Sequence, residues 1–474
     1  MSDTTTNEII LTPGAKTKKI LVTGLALFAM FFGAGNLIFP VMMGIEAGTA
    51  AKSAVLGFIG TGVVLPVLAL FAASSSKDGT PREVAERIGK IPGTVLLFAI
   101  FLTTGMFYAV PRVAAVSYEM AIAPVIPAAQ SNGGVWLAVY SLIFFIVTYV
   151  IVLRPSEVVR RIGSILTPAL LVLMAVLVVT VVVKLTPVGN APEVKYAANP
   201  VAAGLLEGYF TMDALASFVF GLVIVGALRH EGFASQRSSF RATGAAGLVA
   251  GVFLAIVYVG LCAIGTRVAG DGYGNGAEAL SGVAQQFYGT AGQVLFGVIA
   301  ILACLTTSTG LLTASTAFFR SYSPNVPYRT MLLGQVAIAL ALSNLGLDQI
   351  LSLIVPVNQL IYPVAVCLVL VTIMDIFLPG RLYWTYRLTA WVAGFVSLFE
   401  ALWATKLAVF APLRDVLDAF PLGSAHLPFA APAAVVLVIG FAIDAAQKRF
   451  GLHEIEETKA PVAAETSVNE LATR

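Results

Sequence analysis

Charge is what this sequence has least of. Its 28 Lys+Arg and 25 Asp+Glu make up only 11% of 474 residues, whereas an ordinary soluble protein carries roughly 25%. With 58% hydrophobic residues and a mean hydropathy of +0.91, its natural solvent is the lipid bilayer. That composition excludes a disordered regulator. Three Cys, at 262, 304 and 367 and all in apolar runs, exclude a secreted disulfide scaffold. A net charge of +3 excludes a nucleic-acid binder. No GxxxxGK[ST] loop, zinc-ligand cluster or GxSxG elbow is present, and His230, His426 and His453 are scattered. An enzyme, an organic cofactor and an ATPase subunit are therefore not expected. A solute carrier or a channel remains.

Runs of about 20 apolar residues mark bilayer-crossing helices. Twelve are read, at 20–43, 51–73, 93–122, 134–153, 162–184, 201–228, 243–266, 291–319, 329–346, 349–374, 386–409 and 427–446. They form one transmembrane domain over 20–446, between tails at 1–19 and 447–474. The first run follows Lys16, Lys18 and Lys19, is too long for a signal-peptide core, lacks an Ala-x-Ala site, and is read as a retained helix. Assigning alternate segments to one side places 21 basic residues there and six on the other, with Arg112 alone inside a span. Because Lys and Arg resist translocation, both tails are expected to be cytoplasmic.

Two spans carry interruptions. In the first, Gly33-Ala34-Gly35-Asn36 separates two apolar stretches, and each Gly lowers helix propensity by roughly 1 kcal/mol. Unwinding there frees carbonyls for a cation and presents N–H groups to an anion; close helix packing by small residues is the alternative. In the sixth, Glu207-Gly208-Tyr209-Phe210-Thr211-Met212-Asp213 brings two acids into an apolar run. Asp213 there either binds a ligand or caps a half-helix. Breaks in spans one and six divide the chain into five-span units at 20–184 and 201–375, with accessory helices at 386–446. Five is odd, so the units are inverted relative to each other. The expected fold class is an all-α membrane protein: 12 transmembrane helices, a 5+5 inverted repeat plus two, with helices one and six broken.

Other polar groups lie within the spans. Ala303-Cys304-Leu305-Thr306-Thr307-Ser308-Thr309 in the eighth offers hydroxyls and carbonyls suited to a hard cation, although such hydroxyls also bond back to their own helix. Tyr108, Arg112 and Glu119 share the third span beside the kinking Pro111, as an ion pair or, for Tyr108 and Arg112, as contacts to a carboxylate. Asn344, Asn358 and Gln359 are gating or interhelical groups, and 271–290 is a lid segment or a plain loop.

Phe32-Gly33-Ala34-Gly35-Asn36-Leu37-Ile38-Phe39-Pro40, Gly208-Tyr209-Phe210-Thr211-Met212-Asp213, Ala303-Cys304-Leu305-Thr306-Thr307 and Ser343-Asn344-Leu345-Gly346-Leu347 together resemble the bacterial branched-chain amino acid:cation symporters, the BrnQ carriers. The resemblance implies import of leucine, isoleucine and valine with a cation, usually Na⁺, across the bacterial inner membrane. That family is remotely similar to transporters of the leucine-transporter fold. Matched to that fold, the amides of Ala34 and Gly35 would hold the substrate carboxylate. The carbonyls of Ala29, Phe32 and Ala303 with the hydroxyls of Thr306 and Thr307 would hold Na⁺. Asn36 and Thr211 would lie near a second cation position, and Tyr209, Phe210 and Asp213 near the substrate's side chain or ammonium. Asp213 stands where the remote relative has a Ser, so its carboxylate pairs with the ammonium or replaces a cation's charge. A proton-coupled permease for other apolar amino acids, using Asp213 or Glu119, and a channel or sensor are the alternatives.

Overall fold

The computed structural model describes residues 13–447 except 77–79, 127–133, 155–159, 161, 346, 379–381 and 426. Every regular element among the described residues is helical. The first half holds α1 (Pro13–Phe31), α2 (Ala34–Ala47), α3 (Ala51–Ile59), α4 (Leu65–Ser74), α5 (Pro81–Glu86), α6 (Lys90–Leu102), α7 (Ala109–Ala121), α8 (Gly134–Val152) and α9 (Thr167–Lys184). After a short α10 (Val194–Ala197) come α11 (Pro200–Phe210), α12 (Asp213–His230), α13 (Gln236–Val268), α14 (Gly276–Tyr322), α15 (Tyr328–Ser343) and α16 (Leu347–Phe377). The chain closes with α17 (Trp384–Ala404), α18 (Leu413–Asp418) and α19 (Ala430–Ala446). Eight stretches among the described residues are long and apolar enough to cross a bilayer.

Each apolar run read as a span contains helix, with shifted edges. Helix α1 starts at Pro13, so residues 13–19, read as tail, are its first turns. The segment 271–290 is not a plain loop: its helix starts at Gly276, capped by Asn275 accepting from Glu278 N at 2.9 Å, and kinks at Gly289. The rest of both tails lies outside the described residues.

Lipid gives helices no hydrophobic reason to associate, so close approach falls to small residues. Gly44 and Gly265 let α2 and α13 touch backbone to backbone: a Cβ on Gly44 would sit 2.2 Å from the Cys262 carbonyl oxygen, and one on Gly265 2.1 Å from that of Val41. Gly57 and Gly204 do the same for α3 and α11, against Val201 O at 2.0 Å and Ala54 O at 1.9 Å. These crossings fix the helices that carry the two interruptions.

Candidate functional site

The first interruption is short. Helix α1 ends at Phe31, Gly33 is extended (φ −98°, ψ −169°), and α2 restarts at Ala34. Facing it from α14, the Thr306 hydroxyl lies 2.8 Å from the Ala29 carbonyl and 2.9 Å from that of Ala303. The Thr307 hydroxyl is buried without a hydrogen-bond partner, and a Cβ on Gly33 would come within 3.1 Å of it. Phe32 sits in the gap, its N–H still closing on the Phe28 carbonyl at 2.8 Å. Hard oxygen atoms from two helices thus lie together where the resemblance implies a cation, the ligand chemistry that a small hard ion requires. Among the described residues no group of three His, Cys, Asp or Glu forms another candidate metal site.

The second interruption falls within the stretch from Glu207 to Asp213, at its C-terminal end. Helix α11 continues through Gly208 to Phe210, and the chain turns at Thr211 and Met212, the latter left-handed (φ 60°, ψ 19°). Gly208 serves helix packing, since a Cβ there would lie 2.5 Å from the Phe58 carbonyl oxygen. The turn puts Asp213 at the start of α12, buried, where its carboxylate accepts a hydrogen bond from Asn36 Nδ2 at 2.7 Å. The same nitrogen donates to the hydroxyl of Tyr258 on α13. One amide group therefore ties together the first turns of α2 and α12.

Between the interruptions lies a cavity of ≈ 80 Å³ lined by Gly35, Asn36, Tyr108, Arg112, Thr211, Asp213, Thr307 and Asn358, with Met30, Phe31, Leu215, Phe220 and Leu311 as apolar wall. It carries both signs of charge. Arg112 holds its guanidinium over the α2 N-terminus, where a Cβ on Gly35 would lie 2.8 Å from it, and donates to Tyr108 Oη at 2.7 Å. A helix N-terminus beside a cation suits an anion. The Asp213 carboxylate stands in the same lining.

Of the expected substrate residues, Gly35, Asn36, Tyr108, Thr211 and Asp213 line this cavity, and Ala34 begins the helix behind it. Tyr209 and Phe210 are not in its lining; the Tyr209 ring packs on Tyr362 and Phe429. The proposed Arg112–Glu119 pairing gives way: Arg112 turns to the cavity and Glu119 is exposed. Tyr258 was missed, although a single phenol inside the apolar run Ile256-Val257-Tyr258-Val259 was a visible signal.

A sequence model described as "branched-chain amino acid transport protein" matches residues 16–447. The chain belongs to this family. It is 39% identical over 90% of its length to the branched-chain amino acid permease BrnQ of Corynebacterium glutamicum, covering 95% of that protein. It is 36% identical, over 90% of its own length and 96% of the relative's, to the branched-chain amino acid transport system 2 carrier protein of Pseudomonas aeruginosa. Among solved structures, a nucleobase-cation-symport-1 family transporter in a closed conformation with bromovinylhydantoin bound superposes with a TM-score of 0.55 at 14% identity, over 95% of this chain and 96% of that one. MhsT in complex with L-phenylalanine superposes with 0.50 at 17% identity, over 88% and 97%. The fold is thus that of the leucine-transporter group, and this family member is a multi-pass membrane transporter rather than an enzyme.

Proposed function

We propose that this transporter is a cation-coupled symporter, with Na⁺ as the coupling ion, that imports leucine, isoleucine and valine through the bacterial plasma membrane by alternating access. The observation that carries the reading is the cavity at the junction of the two interruptions, whose lining holds both the Arg112 guanidinium and the Asp213 carboxylate. A zwitterion finds a partner there for each of its charges, with its carboxylate at the amides of Ala34 and Gly35 beside Arg112 and Tyr108. Its ammonium lies at Asp213, next to Asn36 and Thr211, and its branched side chain against the apolar wall. Tyr209 and Phe210 back the pocket from α11. Na⁺ at the oxygens of Ala29, Phe32, Ala303, Thr306 and Thr307 braces α1 against α14, so ion binding stabilises the arrangement that admits substrate.

The architecture in this reading has twelve spans over 20–446: repeats at 20–184 and 201–375, then two accessory helices at 386–446. Packing supports the inverted repeat. Helices α1 and α2, the broken first span, both lie on α13 of the seventh, and α11 and α12, the broken sixth, lie on α3 and α4 of the second. Exchanging the units exchanges these pairings. Contacts between connecting segments support cytoplasmic tails, at 1–19 and 447–474. Lys19 pairs with Glu231 at 2.8 Å, Gln236 donates to the Ser76 carbonyl at 3.2 Å, and Arg87 pairs with Asp375 at 2.6 Å, all within the Arg- and Lys-rich set of segments. In the other set Lys195 pairs with Glu46 at 2.6 Å and with Glu207 at 3.0 Å.

The test is uptake of labelled isoleucine into proteoliposomes under an imposed Na⁺ gradient, against equal K⁺ on both sides. Na⁺-driven accumulation that Thr306→Ala/Thr307→Ala abolishes supports the reading. Accumulation driven by a proton gradient instead favours a second reading, motivated by the buried Asp213 carboxylate, of a proton-coupled permease. Dissipative, non-saturable flux would identify a channel, and binding without flux a sensor.

A further inference from the structure

Three cations stand together without partners at the membrane edge. Lys16 on α1 and Arg237 and Arg241 on α13 line a cavity of ≈ 600 Å³ that also holds the Ser235 and Ser238 hydroxyls. All three are exposed, and among the described residues none of them makes an ion pair or hydrogen bond. Ser235 caps α13 by accepting from Ser238 N at 3.2 Å, so the cavity also faces the positive end of a 33-residue helix. Three mutually repelling cations and a helix dipole call for an anion.

The surroundings say which anion. Ile20, Phe233 and Ala245 form an apolar floor to the same cavity. Arg237 and Arg241 share one face of α13, and below them that face continues as Leu248, Val252 and Ile256, which are 61%, 58% and 61% exposed. At 1.5 Å per residue Leu248 and Ile256 lie about 10 and about 22 Å from Arg241 along the axis, the depth range of acyl chains. A phosphate at the cationic rim with chains down an apolar stripe is the shape of a phospholipid, and basic pockets between helices on the cytoplasmic side take anionic headgroups.

We infer that Lys16, Arg237 and Arg241 form a specific site for the headgroup of an anionic phospholipid, whose chains lie along α13. A lipid seated there bridges α1, the helix that supplies Ala29, to α13, which holds Asn36 through Tyr258.

The test is thermal unfolding of the purified full-length protein in neutral detergent, titrated with phosphatidylglycerol, phosphatidylcholine or inorganic phosphate. Phosphatidylglycerol is expected to raise the midpoint saturably, with little effect of the other two. In Arg237→Gln/Arg241→Gln the half-saturating concentration should rise about thirtyfold, some fivefold for each basic group at an anionic surface. Arg237→Lys/Arg241→Lys should retain most of the effect. Lys16→Gln, on an exposed side chain, should shift it about fivefold and stands in if the double variant folds poorly. Equal stabilisation by phosphatidylcholine, or an unshifted titration in the Gln variants, overturns the site. Stabilisation by inorganic phosphate at matched concentration would reassign it to a soluble anion.

Discussion

The two interruptions solve one problem by opposite means. At the first, Gly33 has an extended backbone that any residue can adopt, and what glycine supplies is room for Thr307 Oγ1 at 3.1 Å. At the second there is no glycine at the turn, and Met212 is left-handed, which costs on the order of 1 kcal/mol for an L-residue. That conformation is held by its surroundings: Met212 N donates to the Tyr209 carbonyl at 3.2 Å and Leu215 N to that of Met212 at 3.1 Å. Glycine here marks where atoms crowd, and strain marks where the chain must turn. In the proposed reading the first break serves an ion and the second aims a carboxylate.

The largest effect should come from cutting the link between them. Asp213→Asn keeps the shape but removes the buried charge. Isoleucine uptake efficiency should drop roughly hundredfold, as expected when one partner of a buried charged contact worth about 2–5 kcal/mol is lost; initial rates at varied isoleucine measure it. Next is Gly33→Ala, which fills the space beside Thr307. The Na⁺ concentration for half-maximal uptake should rise about tenfold, a cost of ~1–3 kcal/mol for overpacking, with the isoleucine optimum little changed. Met212→Gly should be the milder change: relief of the left-handed residue, worth about 1 kcal/mol, offsets part of the loss of a side chain that packs on the core and lines the cavity, so the thermal unfolding midpoint should shift little and uptake should be largely kept. If Gly33→Ala is silent and Met212→Gly inactivates, the contrast is reversed.

The smallest effect is expected outside the cavity, where Lys195 clamps α2 to α11 through Glu46 and Glu207. Burial opposes the Lys195 ammonium, but its hydrogen bonds to Glu46 and Glu207 outweigh that and raise its pKa above the ordinary 10.5. A raised lysine pKa contributes stability fully below the ordinary value and loses it as pH climbs past the raised one. The lysine's contribution to the clamp is therefore constant from pH 7 to 9, as thermal unfolding across that range measures, and is lost in strong alkali. Being partly exposed, each pair contributes below about 1 kcal/mol, so Glu207→Gln should lower stability by no more than that.

Much of this was legible in the sequence because lipid imposes simple rules. Apolar length and the basic-residue alternation mark the helices, since unpaired backbone and translocated charge are both costly in a bilayer. The Gly33–Asn36 break was visible because two Gly and an Asn fall within four residues of an apolar run, and the Thr306–Thr307 pair because it lies in a dense run of hydroxyls. The break between Glu207 and Asp213 was visible too, but not that its turn falls on Met212, because nothing about methionine marks a left-handed residue. Tyr258 and the inward turn of Arg112 depend on which face of a helix meets the cavity. Twelve apolar spans without strong amphipathic patterning do not reveal that.

The account turns on ion and substrate sharing one structure around α1. The most direct measurement is equilibrium binding of labelled isoleucine to the purified protein as Na⁺ replaces K⁺ at constant ionic strength. Binding should tighten with Na⁺ in the wild type and lose that dependence in Thr306→Ala/Thr307→Ala. Wild-type binding that is equally tight in K⁺, or a Na⁺ dependence that survives in the double variant, would contradict the account.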